Sequence, residues 1–364
     1  MKRRLLTFIL CVIAAIAVWP LPNDSIVPSN NTLKPKFLYN VDALFFFDNR
    51  EYKAPWQWDQ TLLGISLAPE IGVGITDKQG GKHRLMAGVH YTQPMGGNWR
   101  DIRLSPVAYY QYRYKNFSMH LGSLPYKNRI CPLPSFLRYD SLSYFYPNIQ
   151  GALLQYESHL GYVEAMLDWR GLQRQDQREM FRIVINGEYI HSGFFRYSAG
   201  GMAQLNHKAN YADGVMPHEG VADDAYVSPS ISIDFAPPTP LDTLSLRASY
   251  IYGFQRYRKL SETYHVHGML LELHLNWRWL GLKNTFYYGG NLMPLYYRFS
   301  TDLNQGDPFY RAPLYNRTDL YVRFINKSFV TCYFSWNMHY VKDGGLQHQQ
   351  QFIARFSLEP LLKR

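Results

Sequence analysis

Three polar residues at alternate positions, Ser335, Asn337 and His339, are the first group in this 364-residue chain that could do chemistry. A serine, a histidine and an amide are the parts of an ester hydrolase that works against a membrane. On a strand, however, alternate side chains share a face and stand about 7 Å apart, so the three form no relay and read as polar lining. Glu164 and Asp168, four residues apart, are about 13 Å apart at strand rise, too far for the paired carboxylates of a glycosidase. His265 and His267 share an outward face and could reach a metal, but read as a solvated rim pair. The remaining cluster, His218-Glu219 with Asp223-Asp224, lies in a connection. These patterns define no catalytic residue, metal site or cofactor, and the expectation is a protein that is not an enzyme.

The elements that must carry these residues are strands. Residues 61–75 place Leu63, Ile65, Leu67, Ile71, Val73 and Ile75 on one face and Gly64, Ser66, Glu70, Gly72 and Gly74 on the other, which is a strand with one oily and one wet wall. Sixteen such stretches are expected, at about 37–48, 61–75, 83–94, 105–114, 117–124, 148–157, 160–170, 178–189, 193–206, 225–235, 241–255, 264–278, 281–290, 314–325, 328–340 and 348–358. Connections after even-numbered strands are short, as at Lys115-Asn116, Ser158-His159 and Leu280, and those after odd-numbered strands are mostly longer. That asymmetry is the habit of transmembrane barrels, whose turns are short on the periplasmic side and long outside. The reading is an all-β, closed, antiparallel up-and-down barrel of about 16 strands over residues 37–358, in the bacterial outer membrane, with both termini periplasmic.

Composition agrees. A mean hydropathy of -0.30 hides a barrel because every second residue is polar, while 16% aromatic residues suit the girdles at both membrane interfaces. Lys2, Arg3 and Arg4, the apolar run from Leu5 to Trp19 and Ala15-Ile16-Ala17 read as a secretory signal peptide over 1–17. An extended arm follows over 18–36, and a short tail over 359–364. Cys131 and Cys332 fall in a loop and on an oily face, so no disulfide is expected.

The net charge of +10 falls to about +7 without the three signal residues. Its arginines are scattered singly along strands, which excludes a nucleic-acid partner and favours a channel lining or anionic lipid. The polar faces assign Arg84, Arg113, Glu164, Asp168, Arg178, Arg182, Arg196, Arg247, Glu272, Arg278 and Arg323 to the lumen wall.

The connection from Pro125 to Pro147, with Lys127, Arg129, Arg138 and Asp140, gives the pattern a family likeness. The chain resembles sixteen-stranded bacterial outer-membrane porins, in which the loop between strands five and six folds into the barrel and narrows it. The resemblance covers strand, turn and loop order over most of 37–358, and implies that this loop is the constriction. Porins of that kind usually end on an aromatic residue, whereas here Phe356 is followed by eight more residues. The function expected is a passive channel for small polar, anionic or sugar-like solutes. The alternative is a barrel that docks a surface-polysaccharide assembly or export partner, with Phe309, Tyr310 and Tyr315 as sugar-stacking residues. The third reading is an outer-membrane hydrolase. Outer-membrane lipid, small polar solutes and a second copy or surface-glycan machinery are the partners implied.

Overall fold

In the computed structural model, residues 34–193, 195–210 and 220–359 are described. The expected signal peptide, most of the arm before the first strand, the pair His218-Glu219 and the tail beyond residue 359 lie outside the described residues.

Alternation of apolar and polar side chains is realised as sixteen strands. The first eight are β1 (Lys36–Glu51), β2 (Gln60–Thr76), β3 (Lys82–Pro94), β4 (Arg103–Tyr114), β5 (Phe117–Pro125), β6 (Asn148–Ser158), β7 (Gly161–Gly171) and β8 (Met180–Ser192). The rest are β9 (Arg196–Lys208), β10 (Ala222–Asp234), β11 (Thr243–Tyr257), β12 (Glu262–Trp277), β13 (Leu280–Gly289), β14 (Leu314–Asn326), β15 (Val330–Val341) and β16 (Gly345–Ser357). Each pairs antiparallel with its neighbours in the chain, and β1 pairs with β16, for example Phe46 opposite Ile353. Closure leaves no free strand edge along the wall, so the ladders are satisfied between neighbouring strands, as a membrane requires.

The outer wall is sorted by height. Leu67, Ile71, Leu85, Leu121, Val163, Ile231 and Leu271 are exposed on it. Toward the short-turn end stand exposed Tyr39, Tyr156, Tyr189, Trp277 and Trp279, and toward the long-loop end Trp169, Tyr250, Tyr288, Trp336 and Tyr340. An apolar belt between two aromatic girdles is what a bilayer selects. At the short-turn end, Lys115 and Arg278 begin two-residue turns with φ of 49° and 54°.

The lumen is not empty. The segment between β5 and β6 carries a single helical turn at Leu142–Phe145, and the segment between β13 and β14 carries a helix at Tyr296–Leu303. Both fold inward. Phe136, Leu137, Leu292, Met293, Phe309 and Tyr310 from these segments pack with inward-facing Tyr226, Ile251, Leu270, Tyr287 and Tyr315 into one buried apolar core. Phe309, Tyr310 and Tyr315 are wholly buried there, so the sugar-stacking surface expected of them is corrected: their rings close on one another inside the barrel, Phe309 to Tyr315 at 5.2 Å. Transfer of that much aromatic surface out of water is a strong reason for the loops to enter.

Candidate functional site

The inner wall fixes the 125–147 segment through charges. Arg129 donates from Nε to Glu164 Oε1 at 2.7 Å and from Nη2 to Asn186 at 2.9 Å, while the Ile130 amide reaches Glu164 Oε2 at 2.8 Å. Lys127 pairs with Asp42. Arg138 lies 3.8 Å from the Tyr126 ring centre and donates to the Tyr146 carbonyl at 2.6 Å. Asp140 meets Arg317 at 3.0 Å; burial works against its charge, but Arg317 holds its carboxyl below the usual range. Asp168 accepts from the Tyr126 hydroxyl at 2.5 Å and from Arg182 at 3.2 Å.

The other lumen candidates spread out along the wall. Arg247 pairs with Glu188 at 2.7 Å, and Glu272 with Lys283 at 3.9 Å. Arg323 donates to Asn276 at 3.2 Å. Arg84 is half-buried beside a small recess with Glu70 and Tyr109, Arg113 is exposed, and Arg196 opens β9. One assignment is corrected. Arg278 occupies the turn between β12 and β13, where it lies against Trp277 rather than on the lumen wall, because β12 ends one residue before the expected point. Arg178 lies two residues before β8; its guanidinium is buried 5.5 Å from the ring centre of Phe299 on the inserted helix and donates to the backbone carbonyls of Ala209 and Gly220.

Ser335, Asn337 and His339 face inward and are buried, tied to Gln349, Gln351 and the Tyr315 hydroxyl. No lipid ester reaches them. His265 and His267 do face outward; His265 Nδ1 is 2.8 Å from the Tyr252 hydroxyl, and His267 Nδ1 bonds the Tyr250 hydroxyl.

The outer wall also holds a constellation that the sequence reading missed. Trp169, Phe181, His207, Asp223 and Arg256 are successive Cα partners across β7 to β11, one row at one height near the long-loop end. The Trp169 and Phe181 rings stack at 5.4 Å, and Phe181 faces the His207 ring at 5.0 Å. His207 Nδ1 lies 2.6 Å from Asp223 Oδ1, and Arg258 grips Asp223 Oδ2 from Nη2 at 2.7 Å and Nε at 3.1 Å. Among the described residues, His207 Nε2 has no hydrogen-bond partner. An imidazole oriented by a carboxylate at one nitrogen and free at the other is a general base. One further Asp–His pair on this wall differs: His83, at the short-turn end, spends Nε2 on Asp77 at 3.1 Å and Nδ1 on Tyr110 at 2.7 Å, leaving no free nitrogen.

Asp223 and Asp224, neighbours in one expected cluster, are separated by the pleat. Asp224 points inward to Asn206 and Gln255 at 3.0 and 2.7 Å. The expected strand over 193–206 stops one residue short of His207, whereas β9 extends to Lys208. The apolar-polar rhythm runs on through Leu205 and His207, and that continuation is the signal that would have found the pair.

A closed sixteen-stranded barrel with an apolar outer belt defines an outer-membrane protein of porin-like fold. Solved structures agree at the level of the fold. OccK2 (OpdF) of Pseudomonas aeruginosa is 11% identical, with a TM-score of 0.52 over 88% of this chain and 97% of that one. OccK9 (OpdG) of the same organism is 11% identical, with a TM-score of 0.52 over 88% and 98%. A loop L8 deletion mutant of OmpT of Vibrio cholerae is 10% identical, with a TM-score of 0.51 over 89% and 99%. No curated protein sequence is significantly similar to the chain. The family model described as Lipid A 3'-O-deacylase-type matches residues 28–358, and the chain belongs to that family. Membership of an enzyme family overturns the expectation of a non-enzymatic barrel.

Proposed function

We propose that this barrel is an outer-membrane ester hydrolase that releases an ester-linked acyl chain from lipid A, with the chemistry on the outer wall at the His207–Asp223 pair. The observation that carries the reading is an acid-oriented histidine with a free Nε2 on the wall that meets lipid, in a chain of the Lipid A 3'-O-deacylase-type family. The asymmetry of the connections assigns the long loops to the outer side, which sets the row level with the outer-leaflet headgroups.

In this account His207 Nε2 takes a proton from water as the water oxygen bonds to the ester carbonyl carbon. The sugar–oxygen leaving group receives that proton as its bond to the carbonyl carbon breaks, giving a free fatty acid and a free hydroxyl. Asp223 holds the imidazole in register, and Arg258 holds Asp223. The exposed Arg256 beside them offers a cation to the negative charge that builds on the carbonyl oxygen. Trp169 and Phe181 form an apolar shelf for the acyl chain. The test is release of fatty acid from lipid A in mixed micelles: the folded protein releases it, and His207→Gln and Asp223→Asn do not.

A channel for small polar solutes is the second reading, supported by the porin-like barrel and by recesses on the short-turn side of the inserted loops. The apolar core of those loops stands in its way. Single-channel recording separates the two readings, since a hydrolase platform conducts little and a channel gives stable ohmic steps.

A further inference from the structure

His265 and His267 on β12, with the tyrosines they bond, form a second polar group on the lipid-facing wall, near the His207–Asp223 pair. Both histidines are exposed. The Tyr252 hydroxyl lies 2.8 Å from His265 Nδ1 and the Tyr250 hydroxyl bonds His267 Nδ1, each tyrosine reaching one diagonal step across the β11–β12 ladder. The imidazoles are packed as well as bonded: Phe254 stands edge-on to His265 at 5.4 Å, and the Tyr252 ring lies 5.2 Å from that of His267.

The bonding partner sets what each imidazole offers. The Asp223 carboxylate has no proton to give, so it accepts from His207 Nδ1 and leaves a lone pair on Nε2. A tyrosine hydroxyl does have one. Among the described residues neither hydroxyl has another acceptor, so each gives its proton to Nδ1 and the imidazole proton stays on Nε2. His265 and His267 thus present two N–H donors without partners among the described residues, the opposite of the base at His207. Exposed Arg256 lies between the two groups, its register partners being Asp223 on β10 and Thr263 on β12, and its charge favours an anion beside it. Asp223 is already held by His207 and Arg258, and the outward neighbours of the histidines on β12, Thr263 and Met269, are uncharged. Oriented donors beside a cation select an anion, and at the aromatic girdle of a lipid-facing wall that anion belongs to a lipid headgroup.

We propose that His265 and His267 are specificity residues that hold a phosphate monoester on the sugar of lipid A while an acyl ester of the same molecule reaches His207. The phosphate oxygens accept from both Nε2 atoms. Three strand spacings separate β9 from β12, about 14 Å around the wall, which is the scale of a disaccharide headgroup. That the anion is a lipid A phosphate rests on the hydrolase reading, whereas the preference for an anion rests on the imidazole tautomers.

Native mass spectrometry of the full chain carrying His207→Gln, which removes turnover, tests this in detergent with diphosphoryl lipid A and with the same lipid stripped of phosphate. Binding of the phosphorylated lipid at least about tenfold tighter is expected, the gain of one hydrogen bond to a charged group. Adding His265→Phe and His267→Phe, which keep aromatic rings on the wall, should abolish that preference while the barrel keeps its heat-modifiable gel mobility. Tyr250→Phe with Tyr252→Phe, which frees the imidazole tautomers without removing a ring, should reduce it in part. Equal binding of the two lipids by the His207→Gln chain, or a preference that survives both pairs of substitutions, overturns the proposal. Fatty-acid release by the native chain is measured in parallel: a phosphate preference without release leaves this site standing and ends the hydrolase reading, and release without a preference does the reverse.

Discussion

His207 and Asp223 stand opposite one another on adjacent strands, with Nδ1 2.6 Å from the carboxylate, on the lipid-facing wall. A carboxylate hydrogen-bonded to an imidazole at that place is costly unless it is used or solvated. The polar clamp of Arg258 on the same carboxylate pins the geometry. Removing a general base of this kind costs roughly 10²–10⁴ in rate. His207→Gln should therefore lose hydrolysis by that factor with heat-modifiable mobility unchanged, and Arg258→Lys, which keeps charge but loses the two-point grip, should lose less. Equal activity in all three proteins removes His207 from the reaction.

The sorting of the outer wall predicts a position-dependent cost for charge. Leu67 is exposed at mid-strand on β2, and Leu67→Arg should destabilise the folded barrel in lipid by about 2–4 kcal/mol. Gln111→Arg, on a polar recess of the lumen wall, should be nearly neutral. Urea unfolding in vesicles reads the difference, and equal effects would show the wall to be inverted. Ser66, though on the inner face, is a poor control, because it is buried against Thr92 at 2.9 Å.

Asp307 gives the inserted loops a pH dependence. Burial pushes its carboxyl up to about 7, against the pull of Arg317 and the Phe309 amide. The folded state thus holds a proton that the unfolded state releases near pH 4, so stability falls as pH rises from about 4 to 7 and is flat above, by at most about 4 kcal/mol. Asp140 acts oppositely: its lowered carboxyl stabilises above its ordinary range and loses that contribution as pH falls below about 4. Between pH 5 and 7.5 the thermal midpoint of the native chain should fall relative to that of Asp307→Asn, a difference in which the titrating groups common to both proteins cancel. A native midpoint that rises relative to Asp307→Asn across that window contradicts the assignment.

Replacing residues 128–144 by a short Gly/Ser link removes Arg129, Leu137 and Asp140, and with them part of the lumen core. The strands close through their own ladders, so the barrel should persist while conductance in planar bilayers increases. Unchanged conductance would mean that this segment does not obstruct the lumen.

Strands and their facing were legible because burial on one wall imposes a period of two, which Leu63 to Ile75 shows plainly. Height and pairing were not, since alternation is silent about which outward residue on one strand meets which on the next; His207 and Asp223 are 16 residues apart and meet only through the β9–β10 register. The inward course of residues 291–313 was not legible for another reason. Phe309 and Tyr310 look the same in sequence whether they face sugar, lipid or one another, and only the apolar lining of Tyr226, Tyr287 and Tyr315 decides for the interior.

Mass spectrometry of lipid A from outer membranes carrying the native protein, His207→Gln or Asp223→Asn at matched levels decides whether the His207–Asp223 pair deacylates lipid A. The native protein alone should shift lipid A down by the mass of one ester-linked acyl chain, while both variants leave it intact. Lipid A unaltered by correctly folded native protein, or shortened equally by both variants, would contradict that assignment.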